Sequence, residues 1–370
     1  MLRILHILGC ADAGGISAVV RNYSQFVDKE RVHFDIALTV PEQGQNSRCL
    51  EAMGAKIFFL PLKSQDPEGF RQGLERLLTE GRYDGVHVHE NETSFVALKI
   101  AKQLGIPCRI AHSHESAPFV NIKGELKRLA GCVFNYRYAT HVAACGRQSG
   151  ERIFGKRNMK RPKAVIMPNA VDSQKFAFNP ALREEVRKEL GVENKLVLGM
   201  VCRLAEEKNV PFAYRLLAEL KKTHREVCLV IAGSGPDEED LKLLARQLSL
   251  GDSLKMLGKR FDVDRLYQAY DILLLPSTDE GFPVVPVEGM ASGLPVLIST
   301  MVTDELGFGT GVRYLSLDRM DSWLRAVEEF SCDTGRESRQ GEVKAHGLDI
   351  RLAAEKLMEI YEEDCGSGEK

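Results

Sequence analysis

None of the nine cysteines stands in a CxxC pair, and their number is odd. Cys108, Cys202 and Cys228 lie inside apolar runs, where a free thiol behaves as a small hydrophobe. That pattern argues against a disulfide framework and for a reducing, cytoplasmic setting. No apolar stretch reaches the length of a bilayer span. The N-terminal MLRILHILG is too short for a signal-peptide core and reads as a first strand. Neither sign of charge dominates: 50 Lys+Arg against 52 Asp+Glu leave a formal net charge of −2, which disfavours a general nucleic-acid binder. There is no short-period repeat and no long low-complexity region.

What is present is the composition of a globular protein, 44% apolar and 28% charged, in a chain of 370 residues that fits two ordinary domains. The charge is unevenly spread. Residues 1–170 carry 24 Lys+Arg against 16 Asp+Glu, and the remainder 26 against 36. A basic first half is suited to something anionic.

Strand-length apolar runs alternate with helix-length patterns, the rhythm of a parallel sheet covered by helices. Strands are expected at Arg3–Leu8, His33–Val40, Ala55–Leu60, Gly85–His89, Cys108–His112 and His141–Ala144. The rhythm then restarts, with strands at Val197–Val201, Val227–Ala232, Leu254–Leu257, Ile272–Pro276 and Val296–Ser299. Between them fall MPNAVDSQKFAFNP, which interrupts the periodicity, and a charged helix. The expected fold is α/β, with two doubly wound, Rossmann-like parallel-sheet domains over residues 1–172 and 173–346. A last helix, Ile350–Glu363 within 347–370, is expected to cross back to the first domain. Ligands of such sheets bind beyond the carboxyl ends of the strands, so the residues that follow each strand matter most.

After Ile272–Pro276 comes STDEGFPVVPVEGMASG, with Glu280 in a loop and a helix expected to start near Pro283. Glu288 shares a helical face with Val284 and Ala291, turned towards the core. A carboxylate there needs donors, and ribose hydroxyls are suitable ones. The turn Gly281, Phe282, Pro283 offers backbone N–H groups to a phosphate or sugar hydroxyl. The plainer alternative is that Glu280 complements the helix dipole and Glu288 is solvated. In LGMVCRLAEEKNV, Arg203 follows a strand and Lys208 opens the next helix. Two cations there could clamp a diphosphate, or could simply pair with Glu206 and Glu207.

The paired glutamates of EGFPVVPVE, preceded by Arg203 and Lys208, resemble the signature of glycosyltransferase family 4, which has the GT-B fold. MPNAVDSQKF, AGSGP (with Gly233 and Gly235) and the Gly14–Gly15 loop extend the resemblance over nearly the whole chain. Ala170 departs from it, standing where the family usually has glycine. The resemblance implies a retaining, metal-independent enzyme of hexosyltransferase type, acting without a cofactor. It implies that Arg203 and Lys208 hold the donor diphosphate, Glu288 the ribose, and that Glu280 contacts the transferred sugar. UDP-sugars are the expected donors, glycans or lipid-linked sugars the expected acceptors, and surface polysaccharide synthesis the expected setting.

The family commonly places a histidine near the reacting sugar after the strand that corresponds to Cys108–His112. His114 is favoured over His112 for that role, with packed histidines as the alternative for both. His87 and His89 end another strand. No third ligand stands at a recognisable spacing, so no metal site is expected. Gly233-Ser-Gly235 lacks the third glycine of a dinucleotide fingerprint and runs into Glu238, Glu239 and Asp240, which disfavours an oxidoreductase. Asp262-Val-Asp264 is read as a helix cap rather than a metal-chelating DxD. The basic surplus concentrates in Arg147–Lys163, and the neighbouring Lys123–Ala139 mixes basic and aromatic residues. Such a face could rest on anionic lipid or simply be solvated. The other readings carried forward are a sugar-nucleotide epimerase of the same fold and a non-catalytic sugar-nucleotide-binding subunit.

Overall fold

The computed structural model describes residues 1–11, 15–40, 44–114, 122–223, 226–306, 311–331 and 335–366. They form two compact units, one of residues 1–170 together with 350–370 and one of 171–349.

The first unit contains seven strands: β1 (Leu2–Leu8), β2 (Val32–Leu38), β3 (Ile57–Phe59), β4 (Gly85–Val88), β5 (Cys108–Ser113), β6 (His141–Ala144) and β7 (Ala164–Ile166). Their order across the sheet is β3-β2-β1-β4-β5-β6-β7, and every pairing is parallel. Alternation along β1 assigns its side chains to two cores. Leu5 and Ile7 join Phe70, Leu74, Leu98 and Phe154 on one face. Ile4 joins Val19, Phe34, Ile110 and Leu357 on the other. That second face is covered partly by the helix Ile350–Gly366, which buries Ala354, Leu357, Met358 and Tyr361. Arg31 holds the same helix through Glu355 at 2.6 Å and Glu362 at 2.8 Å.

The second unit contains β8 (Leu196–Val201), β9 (Val227–Ala232), β10 (Leu254–Met256), β11 (Ile272–Leu275), β12 (Val296–Ser299) and β13 (Val312–Leu315), in the order β10-β9-β8-β11-β12-β13 and again all parallel. Central strands such as VCLVIA in β9 are buried along their whole length, as expected where both faces of a sheet are covered. The chain enters this unit at Val171 and leaves it at Asp349, and those two residues form a parallel bridge. Ala170 is buried, and its φ lies outside the left-handed region, so a side chain is carried there without strain.

Two strands went unanticipated, β7 and β13. Both are short edge strands that stay half-exposed, so neither carries the continuous apolar run that marks a central strand. The basic and aromatic stretch Lys123–Ala139 lies largely in a helix, Ile122–Tyr138.

Candidate functional site

In both sheets the strand order reverses at one point, between β1 and β4 in the first unit and between β8 and β11 in the second. Such a switch point opens a crevice beyond the carboxyl ends of the two strands, because their connections leave in opposite directions.

In the second unit that crevice gathers the expected site residues. Arg203 lies two residues beyond β8 with its side chain 67% exposed, and among the described residues its contact with an acid is a loose 4.0 Å approach to Glu207. A single 3-10 turn, Glu206–Lys208, then brings Lys208 back across the strand ends. Its Nζ lies 2.6 Å from Glu280 Oε1, and the Ser277 hydroxyl donates to the same oxygen at 3.0 Å. Lys208 therefore pairs with Glu280, beyond β11, rather than with its neighbours Glu206 and Glu207. The backbone reinforces the link, since Thr278 N–H donates to the Glu207 carbonyl at 2.8 Å.

Gly233 and Gly235 support the Arg203 loop from below. A Cβ on Gly233, whose φ is +154°, would fall 1.7 Å from the Cys202 carbonyl oxygen, and one on Gly235 2.1 Å from that of Leu204. The approach is sealed by Leu204 N–H to the Ser234 carbonyl at 3.0 Å and Asp237 N–H to the Leu204 carbonyl at 3.1 Å. Glycine is needed here for backbone contact with the adjoining loop.

Gly281, Phe282 and Pro283 precede the helix Val285–Ala291, with Phe282 buried. The helix starts later than expected: Pro286, not Pro283, is its first-turn proline. Glu288 lies within it, and its Oε2 accepts a 2.6 Å hydrogen bond from the Tyr267 hydroxyl. Tyr267 is fully buried, and burial followed by the Glu288 charge holds its phenol far above the usual range, so it stays a donor. Sequence reasoning had sought donors for Glu288 among ribose hydroxyls and missed this internal one. Asp262 occupies the position before the helix Val263–Ala269 but makes no side-chain cap; it pairs with Arg260 at 2.6 Å instead.

In the first unit, Gly14 lies outside the described residues and Gly15 opens the helix Gly15–Phe26, exposed. His112 is inside β5 rather than at its end, fully buried on the face covered by the C-terminal helix. His114 follows the strand, and its N–H donates to Asn91 Oδ1 at 3.1 Å. Beside them the sheet register sets His6 of β1 next to His87 of β4. Five histidines result: His6, His87, His89, His112 and His114, with Tyr361 above them. Burial lowers His6 to about 3 and His114 to about 4. Burial, then neighbouring histidines, lowers His87, His89 and His112 well below the ordinary value. All five are therefore neutral near pH 7.

The third histidine that spacing alone did not reveal is thus present. Ligand atoms of His6, His87 and His89, and those of His89, His112 and His114, lie within 4.8 Å of one another. Neutral imidazoles are the form a metal takes. Their nitrogens, however, are directed at each other, and the His87 and His89 rings stack at 4.4 Å with planes 13° apart, whereas metal-bound rings aim their lone pairs at one point.

Residues 183–303 match the family model of glycosyl transferases group 1, and residues 13–175 that of Glycosyltransferase Family 4. The chain is 32% identical over 370 residues to EpsF of Bacillus subtilis, a protein named as a glycosyltransferase, covering 97% of this chain and 96% of that one. It is 26% identical to the UDP-Gal:alpha-D-GlcNAc-diphosphoundecaprenol alpha-1,3-galactosyltransferase of Escherichia coli, covering 97% and 96%. Among solved structures, Anabaena Alr3699/HepE in complex with UDP superposes with a TM-score of 0.82 at 18% identity, covering 98% of this chain and all of that one, a likeness of fold. The chain therefore belongs to glycosyltransferase family 4 and is a glycosyltransferase of the GT-B fold.

Proposed function

We propose that the protein transfers a hexose from a UDP-sugar to a glycan or lipid-linked acceptor, with retention of configuration and without a metal, during surface polysaccharide synthesis. The observation that carries this reading is the grouping of Arg203, Lys208 and Glu280 at the β8/β11 switch point, with Glu288 on the helix that follows. Cleavage of the sugar C1–O bond passes through an oxocarbenium-like transition state while charge accumulates on the departing diphosphate. Lys208, held by Glu280, and Arg203, exposed and free to reach a ligand, supply positive charge to that diphosphate, the work a metal does elsewhere. Glu280, held by Lys208 and Ser277, contacts the transferred sugar, and Glu288, oriented by Tyr267, the ribose. The acceptor enters on the face from which the diphosphate leaves, and the diphosphate takes its proton. The nucleotide is inferred with support from the Escherichia coli relative, named for UDP-Gal, and from HepE, solved with UDP.

Thermal stabilisation by UDP, GDP, ADP and NAD, without added metal, tests the site in the wild type and in Glu288→Ala. A UDP-selective shift that weakens in the variant is expected. A shift with NAD alone would overturn the transferase reading.

Peripheral contact with an anionic membrane at the cytoplasmic face belongs to the same proposal. No helix among the described residues is long and apolar enough to cross a bilayer. The helix Ile122–Tyr138 exposes Leu126, Leu129, Val133 and Phe134, beside exposed Lys127 and Arg137. Arg147, Lys156, Arg157, Lys160 and Arg161 of the same unit are also exposed. Apolar side chains flanked by basic ones suit a headgroup interface.

A further inference from the structure

The two short helices that bring Tyr267 to Glu288, Val263–Ala269 and Val285–Ala291, end on the same guanidinium, that of Arg336. The last carbonyls of a helix find no partner within it, and a helix of seven residues leaves most of its carbonyls so. Arg336 answers both ends. Its Nη2 donates to the Tyr267 carbonyl at 2.9 Å, and its Nη1 to those of Gln268 at 3.2 Å and Tyr270 at 2.9 Å. Its Nε donates to the Ser292 carbonyl at 2.8 Å, and Nη2 also to the Ser292 hydroxyl. Five N–H groups thus meet five acceptors, the full capacity of the side chain. Among the described residues no carboxylate pairs with it. The Phe178 ring lies 4.3 Å away, and the two helix C-termini supply the compensating negative charge. Burial, then Arg183, lowers its pKa to about 9, so it remains a cation at pH 7.

Arg183 and Arg187 also reach the first of these helices, donating to the Tyr270 carbonyl at 3.0 Å and the Ala269 carbonyl at 2.8 Å. Both are bound to Asp271, and among the described residues neither bonds to the second helix. It is Arg336 that joins the two, and its contacts close a ring. The path runs from Arg336 to the Tyr267 carbonyl, and from the Tyr267 hydroxyl to Glu288 Oε2 at 2.6 Å. The Glu288 carbonyl accepts from Ser292 N–H at 3.1 Å, and the Ser292 carbonyl leads back to Arg336. One side chain therefore fixes the Glu288 helix and its Tyr267 donor against each other. The turn that ends the second helix places that side chain in turn. Gly293 has a φ of +74° there, and a Cβ on it would fall 1.9 Å from the Glu337 carbonyl oxygen, so the Arg336 segment lies directly on the turn.

We infer that Arg336 is a positioning residue of the donor site, a clamp on two helix ends that holds Glu288 and Tyr267 in register for the ribose of the sugar nucleotide. The service to a ribose rests on the transferase reading above; the clamp does not.

A lysine keeps the charge but offers three donors from one point, so it cannot span acceptors on two helices. Arg336→Lys should therefore slacken the ring. Isothermal titration of the full chain with UDP reads the effect. A Kd about tenfold weaker than that of the wild type is expected, within the range of couplings inside one hydrogen-bond network. In a Glu288→Ala background the same replacement should change Kd by less than about twofold, because the carboxylate it positions is gone. Equal weakening in both backgrounds, or an unchanged Kd in a folded Arg336→Lys protein, overturns the inference. Urea denaturation gives a readout independent of UDP. The loss in folding equilibrium constant caused by Tyr267→Phe should be about fivefold smaller in Arg336→Lys than in the wild type. Additive losses overturn the clamp. Ser292→Ala deletes one of the five contacts and leaves the guanidinium in place, so it carries both tests, with a Kd about threefold weaker, if Arg336→Lys does not fold. Coupled losses in a protein that does not bind UDP would leave the clamp standing and remove the transferase reading. UDP binding with additive losses has the reverse meaning.

Discussion

Lys208 and Tyr267 each hold an acid at the proposed donor site, Glu280 and Glu288 respectively. Lys208 reaches Glu280 across the ends of β8 and β11, and both side chains are largely shielded from water, so the pair is screened less than a surface ion pair. Lys208→Met removes one fixed positive charge from the leaving diphosphate. The expected loss in kcat is about 100-fold, by analogy with deletion of one transition-state donor, and steady-state kinetics with a working donor and acceptor would check it. Tyr267→Phe acts differently. It deletes a donor to the Glu288 carboxylate from a fully buried ring, at a cost of about 1.5–3 kcal/mol in unfolding free energy. The UDP-induced thermal shift should also diminish, because Glu288 loses the contact that aims it. A denaturant titration and a thermal-shift assay separate the two effects. Sequence reasoning reached Glu280 and Glu288 through their spacing but not Tyr267, which lies 21 positions away and meets Glu288 only when the two helices fold together.

At the scale of elements, the loops after β8 and β9 behave as one piece. The Arg203 loop lies against Gly233 and Gly235 so closely that no side chain fits between them. Gly233→Ala sets a Cβ against the Cys202 carbonyl and demands a left-handed φ of an alanine, so it should destabilise the second unit by more than about 3 kcal/mol. Urea denaturation measures that loss, and the response to UDP should disappear with it. The helix Ile122–Tyr138 carries the opposite kind of feature, large apolar side chains left mostly exposed. Replacement of Leu126 and Val133, 62% and 61% exposed, by Glu should abolish co-flotation with anionic vesicles while the UDP shift stays unchanged. Flotation of the double variant equal to the wild type would rule the helix out as the docking element. Elements of the central sheets were legible because burial on both faces forces continuous apolar runs. The edge strands β7 and β13 were not, because half-exposed strands need no such run.

For the molecule as a whole, the buried histidines set a pH limit. A histidine whose folded pKa is depressed binds fewer protons folded than unfolded over the interval between the two values, so stability rises with pH across that interval. The contribution is fully present above about 6.5, the unfolded value, and falls as pH drops towards about 4 for His114 and about 3 for His6. Each such group contributes a slope of about 1.4 kcal/mol per pH unit, and His87, His89 and His112 are shifted in the same direction. Thermal melts between pH 7.5 and 5 should therefore show a steep fall in Tm below pH 6.5, blunted when His6 is replaced by Phe. A flat profile would mean that the cluster opens to water more readily than its packing indicates.

The sequence by itself determined the fold class, the two-unit organisation and the residues at the ends of β8 and β11, since periodic burial and short-range spacing are local properties written directly in the chain. Only the tertiary structure decided which partner each of those residues takes. Lys208 had two acids beside it in sequence and chose a third from another loop, because the parallel sheet brings successive strand ends side by side whatever their separation along the chain. The buried histidine cluster is the clearest case. Its members come from β1, β4, β5 and the C-terminal helix, and Tyr361 lies 274 positions from His87. In the sequence they are two separate pairs, His87 with His89 and His112 with His114, and two single residues, His6 and Tyr361. Strand register and the packing of that helix alone convert them into one connected network, because hydrogen bonds depend on distances of about 3 Å that no linear spacing encodes.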